Sequence, residues 1–205
     1  MNFETIQHRI ALGDETAFKE LFEHFFPGLL SFCHSLLRNK QLAEEVVEDV
    51  LAKLWENRSS LTAVNNISFY LYKAVRYASI NAIEKQKKYK SISLNEFGDS
   101  FTFSYDDSES SLISAENCRK ISEAINALPP KCKLVFRLIK EEGLKYKEVA
   151  TLLNLSEKTV ENQMNIAIKK LIETFKVTLP EMSPYFLSGK GKISKVIPTI
   201  TKDLN

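Results

Sequence analysis

The sequence predicts an all-α protein in which two small helical domains are joined by a flexible acidic linker. Apolar residues recur at intervals of three and four along most of the 205 residues, which is the spacing of amphipathic helices. The six glycines and six prolines are too few for a protein built on tight β turns. Residues 89–114 interrupt the helical period with serine and acidic residues, so we interpret this stretch as the link between two helical parts.

The composition indicates a globular protein and excludes several classes. Hydrophobic residues make up 44% of the chain and charged residues 26%, which argues against wholesale disorder. Cys33, Cys118 and Cys132 are odd in number and lack CxxC spacing, which excludes a disulfide framework and a cysteine zinc site and suits a reducing cytosol. The chain has no apolar run of about 18 residues, and its first residues lack the pattern of a secretory signal. We therefore expect a cytoplasmic protein without direct membrane insertion.

Three segments of the first domain have helical periodicity: 17–37, 41–57 and 66–88. Pro27 cannot lie within a helix without the loss of a backbone hydrogen bond, so we place it in the first turn of a second helix. The apolar stripe of 41–57 consists of Ala43, Val46, Val47, Val50, Leu51, Leu54 and Trp55. The opposite, acidic face consists of Glu44, Glu45, Glu48, Asp49 and Glu56. The inward face of 66–88 consists of Ile67, Tyr70, Leu71, Ala74, Val75 and Ala78.

The linker is acidic, and its acids alternate with aromatic residues. The aromatic residues are Phe97, Phe101, Phe103 and Tyr105. Helical periodicity returns after the linker in the segments 115–127, 131–141, 145–153 and 156–175, with a break at Pro129 and Pro130. From Pro180 onward no clear period is present, and we expect a poorly ordered tail.

The net charge of +2 conceals blocks of opposite sign. Residues 15–57 carry −4, residues 66–90 carry +5, residues 91–117 carry −6 and residues 118–179 carry +5. Basic segments favour a polyanion such as nucleic acid. For any single block, a solvated helix face is an equally good interpretation.

The segment 145–171 has the pattern of a helix-turn-helix. Asn154 follows the first helix at a position that needs a left-handed backbone, and Ser156 is an N-cap residue for the second helix. Lys145 cannot serve as the N-cap acceptor of the first helix, although Glu148 stands where a capping-box acid belongs.

The second helix of this motif has an apolar anchor and a polar outer face. We expect the anchor to consist of Val160, Met164, Ile166, Ala167 and Leu171. We expect the outer face to consist of Lys158, Thr159, Glu161, Asn162, Gln163 and Lys169. Such a face suits the reading of base edges in a DNA major groove, and the alternative is a plain helical hairpin packed on a neighbour.

Two parts of the chain resemble the regions of one protein family in the correct order. The run LPPKCKLVFRLIKEEGLKYKEVATLLNLSEKTVENQMNIAIKKL resembles region 4 of bacterial RNA polymerase sigma factors of the extracytoplasmic-function (ECF) type. The runs GDETAFKELFEHFFPGLLSFCHSLL, AEEVVEDVLAKLWEN and SFYLYKAVRYASINAIEKQKK resemble region 2. The stretch GLKYKEVATLLNLSEKTVENQM is similar to a subgroup that is common in Bacteroidetes and pairs with outer-membrane uptake systems.

The resemblance implies a domain plan and three partners. It implies region 2 over 1–90, an acidic linker over 91–114, region 4 over 115–178 and a tail over 179–205. The implied partners are core RNA polymerase, promoter DNA and a membrane-anchored anti-sigma factor. The linker resembles the family's connector, which threads the RNA exit channel, and its charge would suit a basic channel; a solvated tether is the alternative.

The resemblance also implies which residues carry each contact. For core polymerase they are Glu48, Asp49, Lys53, Trp55 and Glu56. Burial of Trp55 in the hydrophobic core of the domain is an equally good interpretation. For the −10 promoter element they are Phe69, Tyr72, Lys73, Arg76, Tyr77, Asn81 and Lys85, because strand opening needs aromatic rings for bases and cations for phosphates. Tyr70 lies on the apolar stripe and is expected in the core.

The sequence departs from the family at two positions of the −10 segment. Tyr77 stands where the family often has Asn, and Asn81 where it often has Asp, which affects base preference at −10. The resemblance also implies that the second domain recognises the −35 element. For the −35 element the residues are Lys158, Thr159, Glu161, Asn162, Gln163 and Lys169, and we expect Asn162 and Gln163 to make bidentate base contacts.

We therefore expect a sigma factor that binds core RNA polymerase, recognises −10 and −35 elements and has no enzymatic activity. This hypothesis predicts no catalytic site, metal or cofactor. His8, His24 and His34 lack ligand spacing, and neither a glycine-rich phosphate loop nor GxSxG occurs. The alternative is a conventional helix-turn-helix regulator with an N-terminal helical interaction domain. That alternative explains the second domain but not a basic aromatic helix followed by an acidic linker. A nucleic-acid-processing enzyme would need a carboxylate cluster or phosphate loop.

Overall fold

The structure is a computed structural model that describes residues 2–89 and 112–178. The chain divides into two compact units, of which the first contains residues 2–89 and the second contains residues 112–178. Every regular element within these ranges is a helix, which confirms the all-α prediction. In the same ranges no helix is both long and apolar enough to cross a bilayer. The predicted tail and most of the predicted linker lie outside the described residues.

The first unit packs four α-helices and a short 3-10 helix around one apolar core. The elements are α1 (Phe3–Ala11), α2 (Glu15–Leu37), α3 (Lys40–Glu56), the 3-10 helix (Arg58–Ala63) and α4 (Ile67–Tyr89). Helix α2 contacts α1, α3 and α4, and α3 also contacts α4. The stripe predicted on α3 is buried from Ala43 to Leu54, and Phe25, Leu29 and Phe32 of α2 complete the core.

Helix α1 was not expected from the sequence, because its apolar pattern is short. The side chain of Asn2 accepts a hydrogen bond from the Glu4 backbone and caps the helix. Ile6 and Ile10, four residues apart, are buried. Between them, the buried Gln7 donates through Nε2 to the carbonyl oxygens of Leu61 at 2.9 Å and Val64 at 2.8 Å. These bonds satisfy the buried amide and attach α1 to the segment that precedes α4.

The expectation that Pro27 begins a second helix is wrong, since α2 continues from Glu15 to Leu37 with Pro27 inside it. A proline at this position removes the hydrogen bond to the carbonyl of Glu23. Both Pro27 and Glu23 are exposed, so water can satisfy that carbonyl. Phe25 and Leu29 are buried on either side of the proline, and their burial holds the two halves in one helix.

The second unit packs three helices against a long fourth one. The elements are α5 (Leu112–Asn126), α6 (Pro130–Lys140), α7 (Tyr146–Leu153) and α8 (Glu157–Thr178), and α8 contacts the other three. Pro130 occupies the first turn of α6, as the break in the sequence predicts. Helix α5 begins at Leu112, so the last three residues assigned to the linker are helical. Phe136, Val149, Val160 and Met164 lie in the core.

Candidate functional site

A stripe of aromatic, polar and aliphatic side chains runs along the exposed face of α4. We call Tyr70, Lys73, Tyr77, Ile80 and Asn81 the α4 stripe; residues spaced by three, four and seven positions share one face of a helix. Tyr70 is 42% exposed and Tyr77 is 55% exposed. These values leave both rings accessible to a flat partner such as a nucleotide base.

The ammonium group of Lys73 lies between two aromatic rings. Its Nζ is 6.0 Å from the centroid of the Phe69 ring and 5.9 Å from the centroid of the Tyr77 ring. Cation–π attraction at this distance is worth about 0.5–1 kcal/mol at an exposed site. The geometry therefore places a positive charge directly beside an exposed ring, which is the combination that a single-stranded nucleic acid needs.

Two expectations about α4 are wrong, and both errors come from one misjudged rotation of the helix. Tyr72, predicted to contact the −10 element, is 2% exposed and packs edge-on against Phe32 of α2 with 5.3 Å between ring centroids. Tyr70, predicted in the core, is exposed. The buried face includes Ser68 and Ser79, which are 7% and 0% exposed. Because these residues are small and polar, the positions of the apolar residues alone do not identify the buried face.

The other residues predicted for the −10 element differ in how exposed their side chains are. Lys73, Tyr77, Asn81 and Lys85 are exposed, whereas Phe69 and Arg76 are half-buried. Phe69 still contributes to the surface because its ring supports Lys73.

Helix α3 presents the predicted acidic face to solvent. Its exposed members include Glu45, Glu48, Asp49 and Glu56, with Lys53 among them. Glu44 is half-buried instead and pairs with Lys40, with 3.8 Å between Nζ and Oε1. The net negative charge of this face suits the steering of a basic protein surface.

Trp55 lies at the edge of this acidic face and is half-buried. Its ring centroid is 5.0 Å from that of Phe18 on α2, and the Arg58 guanidinium lies 4.8 Å from the Trp55 ring. Arg58 also donates from Nη1 to the Trp55 carbonyl oxygen at 3.1 Å. Trp55 is thus packed between Phe18 and Arg58 and stays partly accessible to solvent.

The turn between α7 and α8 has the capping geometry that the sequence predicts. Asn154 has φ +56°, and the Ser156 hydroxyl accepts from the Thr159 backbone N–H at 3.0 Å. At the start of α7 the backbone N–H of Lys145 donates to Glu148 Oε2 at 2.8 Å. Only the glutamate half of a capping box is formed, because an ammonium group cannot accept a hydrogen bond.

The exposed face of α8 differs in part from the predicted one. Lys158, Glu161, Asn162 and Lys169 are exposed, and Lys158 Nζ bonds to Glu161 Oε2 at 2.9 Å. Thr159 is half-buried, and its hydroxyl is hydrogen-bonded to that of Ser156. Gln163 is also half-buried, and its Oε1 accepts a hydrogen bond from the Cys132 thiol at 3.1 Å.

One residue expected in the core of α8 is instead on its surface. Ile166 is 44% exposed, while Val160, Met164, Ala167 and Leu171 are buried as predicted. The buried residues are spaced by four, three and four positions, and Ile166 lies about 100° of helical rotation outside that stripe.

Sequence reasoning missed two residues of the second unit that belong to the exposed surface. Asn165 is exposed three residues after Asn162 and seven after Lys158, so the helical period alone could have identified it. Tyr146 at the start of α7 is 37% exposed. Burial raises the pKa of the Tyr146 phenol and the negative charge of Glu161 raises it further, which keeps the hydroxyl as a proton donor.

Within residues 2–89 and 112–178, no group of three or more His, Cys, Asp and Glu side chains is arranged to hold a metal ion. The candidate surfaces on α3, α4 and α8 are built mainly from aromatic, basic, amide and acidic side chains.

Comparison with known proteins finds one family in both units. Residues 21–89 match the family model described as sigma-70 region 2, and residues 118–171 match the one described as sigma-70, region 4. Together these matches cover more than half of the chain.

Relatives with described functions match over both units. The chain is 22% identical over 164 residues to the ECF RNA polymerase sigma factor SigW of Bacillus subtilis, covering 77% of this chain and 88% of that protein. It is 25% identical over 159 residues to the ECF RNA polymerase sigma factor RpoE of Cereibacter sphaeroides, covering 77% of this chain and 86% of that protein. A solved structure of CnrH in complex with the cytosolic domain of CnrY matches with a TM-score of 0.42 and 16% identity over 84% of this chain and 96% of that chain.

Proposed function

Because the chain belongs to the sigma-70 family, as a sigma factor of the ECF type that directs RNA polymerase to promoters, we propose which of its surfaces makes each contact. The α4 stripe binds the opened −10 element, the exposed face of α8 reads the −35 element, and the acidic face of α3 docks on core polymerase. The observation that carries this assignment is the α4 stripe, where exposed rings and a cation share one helix face within the segment matched by region 2.

The proposal for the −10 element follows from the chemistry of strand opening. A base removed from the stack needs an aromatic surface, and its phosphate needs a positive charge. Tyr70 and Tyr77 offer two rings seven residues apart on the same face of α4, and Lys73 supplies the charge between them. We propose that Tyr70 takes the role first given to Tyr72, with Asn81 and Lys85 extending the same surface.

The proposal for the −35 element is based on the N-terminal half of α8. Lys158, Asn162 and Asn165 are exposed along one side of this helix, and its first turn is capped by Ser156. Amide side chains can bond adenine in the major groove through two hydrogen bonds, and a lysine bonds guanine or a phosphate. Glu161 is held by Lys158 and moderates the charge of the surface.

The −35 assignment predicts a loss of promoter discrimination when Asn162 is replaced by alanine. We expect N162A to lower discrimination between the preferred promoter and one altered in its −35 element by about 1–3 kcal/mol, the value of one bidentate base contact. The measurement is competitive binding of the two promoters by the polymerase complex. K176A is the control, since Lys176 is exposed on the same helix about 21 Å further along its axis. Equal weakening on both promoters by N162A would make Asn162 a positioning contact instead.

The polymerase assignment predicts slower association when the acidic face is reversed. We expect E48K to slow binding to core polymerase about three- to tenfold at low ionic strength and less at high ionic strength, because exposed charges act through screened steering. Stopped-flow association measures this rate. E23K is the control, since Glu23 is also an exposed carboxylate but lies on α2. If both variants slow association equally, net charge rather than this surface is responsible.

Four further proposals extend the assignment. The chain acts in the cytoplasm, where promoters and polymerase are, and it contributes binding rather than catalysis. An anti-sigma factor anchored in the membrane holds it inactive, as the resemblance in sequence implies. The stretch GLKYKEVATLLNLSEKTVENQM supports membership of the subgroup common in Bacteroidetes. A conventional helix-turn-helix regulator is not favoured, because it leaves the region 2 match at residues 21–89 without a role.

A further inference from the structure

One side-chain hydrogen bond connects helix α6 to the −35 reading helix α8. Cys132 is 3% exposed in the first turn of α6, and its Sγ lies 3.1 Å from Oε1 of Gln163. Gln163 adjoins the exposed Asn162 and is itself half-buried. The bond therefore ties a residue at the edge of the DNA-facing surface to the core of the second unit.

The thiol is the donor in this bond. Burial raises the pKa of Cys132, and although the charge of Lys170 opposes this, the net direction is upward. The group therefore stays protonated at neutral pH and can donate its hydrogen to an amide oxygen. A buried donor of this kind fixes the orientation of the carboxamide, because the oxygen and not the NH₂ group must face it.

A fixed carboxamide has different recognition chemistry from a free one. A free glutamine bonds adenine with both ends, since its oxygen accepts from N6 and its NH₂ donates to N7. In this structure the Gln163 oxygen accepts from the buried thiol of α6. The NH₂ group is then the end of the carboxamide that can donate to a partner other than this thiol. A group that only donates suits an edge that only accepts, and the major-groove edge of guanine, with N7 and O6, is such an edge.

We infer that Cys132 is a positioning residue for −35 recognition, because its thiol holds the Gln163 carboxamide so that its NH₂ group donates to guanine. This inference rests on the proposed function of α8 and replaces the expectation that Gln163 makes a bidentate base contact. It makes Cys132 a determinant of base preference although it touches no DNA.

The experiment uses the full chain bound to core polymerase and a promoter library randomised over the −35 element. Q163A first identifies the base position that Gln163 reads. At that position we expect C132A to lower the preference for guanine over adenine about three- to tenfold, the equivalent of one modest hydrogen bond. C132S should retain the preference, since a hydroxyl can donate to the same oxygen. In the Q163A background, C132A should change the preference no further.

A second buried thiol provides the matched control. Cys33 is fully buried in the first unit and lies 3.2 Å from the Ser79 hydroxyl, so C33A removes a comparable thiol far from α8 in sequence. It should leave −35 preference unchanged. Thermal unfolding of each variant separates a stability effect from a change in base preference.

Two results would overturn the inference while leaving the proposed function intact. One is a C132A variant that binds all library members with equally reduced affinity, which would make Cys132 merely structural. The other is a Q163A variant that changes base preference at no position. A wild-type complex that shows no −35 preference at all would overturn the proposed function of α8 and the inference with it.

Discussion

Replacing Tyr72 with alanine is expected to destabilise the first unit by about 3–5 kcal/mol, the usual cost of deleting a buried aromatic ring. Tyr72 is among the largest fully buried side chains, and its ring meets Phe32 at the contact between α2 and α4. Thermal unfolding of the full chain, followed by far-UV circular dichroism, measures the loss. Y72F keeps the ring and should cost about 1 kcal/mol or less.

Substitution of the exposed Tyr77 is the comparison for Y72A. Y77A removes a ring that is 55% exposed and should change the free energy of unfolding by no more than about 1 kcal/mol, the upper value of its cation–π contact with Lys73. If Y72A were as stable as the wild type and lost only DNA binding, the buried register of α4 described above would be wrong.

The double variant Y70A/Y77A is expected to make the free energy of promoter opening less favourable by about 2–6 kcal/mol. This estimate takes the loss of stacking as about 1–3 kcal/mol for each base. The variant should fold normally and bind core polymerase with wild-type affinity, because the two rings lie on an exposed face of α4 and the acidic face lies on α3. The measurement is the fluorescence of 2-aminopurine placed in the −10 element, which increases when the base unstacks.

Y70F/Y77F is the control for this double variant, since it retains both rings and removes only the hydroxyls. Opening should then stay close to the wild-type level. Normal opening by Y70A/Y77A would show that the α4 stripe does not capture bases, and the −10 assignment would have to move to another surface.

The helices were largely predictable because their apolar periods are long. Helix α3 was expected over 41–57 and spans Lys40–Glu56, and the capping roles of Asn154 and Ser156 are confirmed by their backbone geometry. Local chemistry decides these features, since a cap or a left-handed residue depends on its immediate neighbours. Helix α1 was missed because nine residues give too few turns for a clear period.

Exposure of single residues was less predictable, because it depends on which elements pack against a helix. Ser79, on the buried face of α4, is satisfied locally: its hydroxyl donates to the Val75 carbonyl at 2.7 Å and lies beside the Cys33 thiol. Apolar periodicity does not predict a buried face that contains serines. Gln163 shows the same limit in the second unit, since only the packed structure brings Cys132 of α6 next to it.

The most direct test of the function is transcription with the purified chain and core polymerase. The template is fragmented genomic DNA of the host, and the starts of the transcripts are mapped by sequencing. We predict that adding the chain produces transcripts from a small set of starts whose upstream DNA shares one −10 and one −35 sequence, whereas core polymerase alone produces none of them. If the chain does not bind core polymerase and the pattern of starts stays at background, its role as a promoter-directing subunit is contradicted.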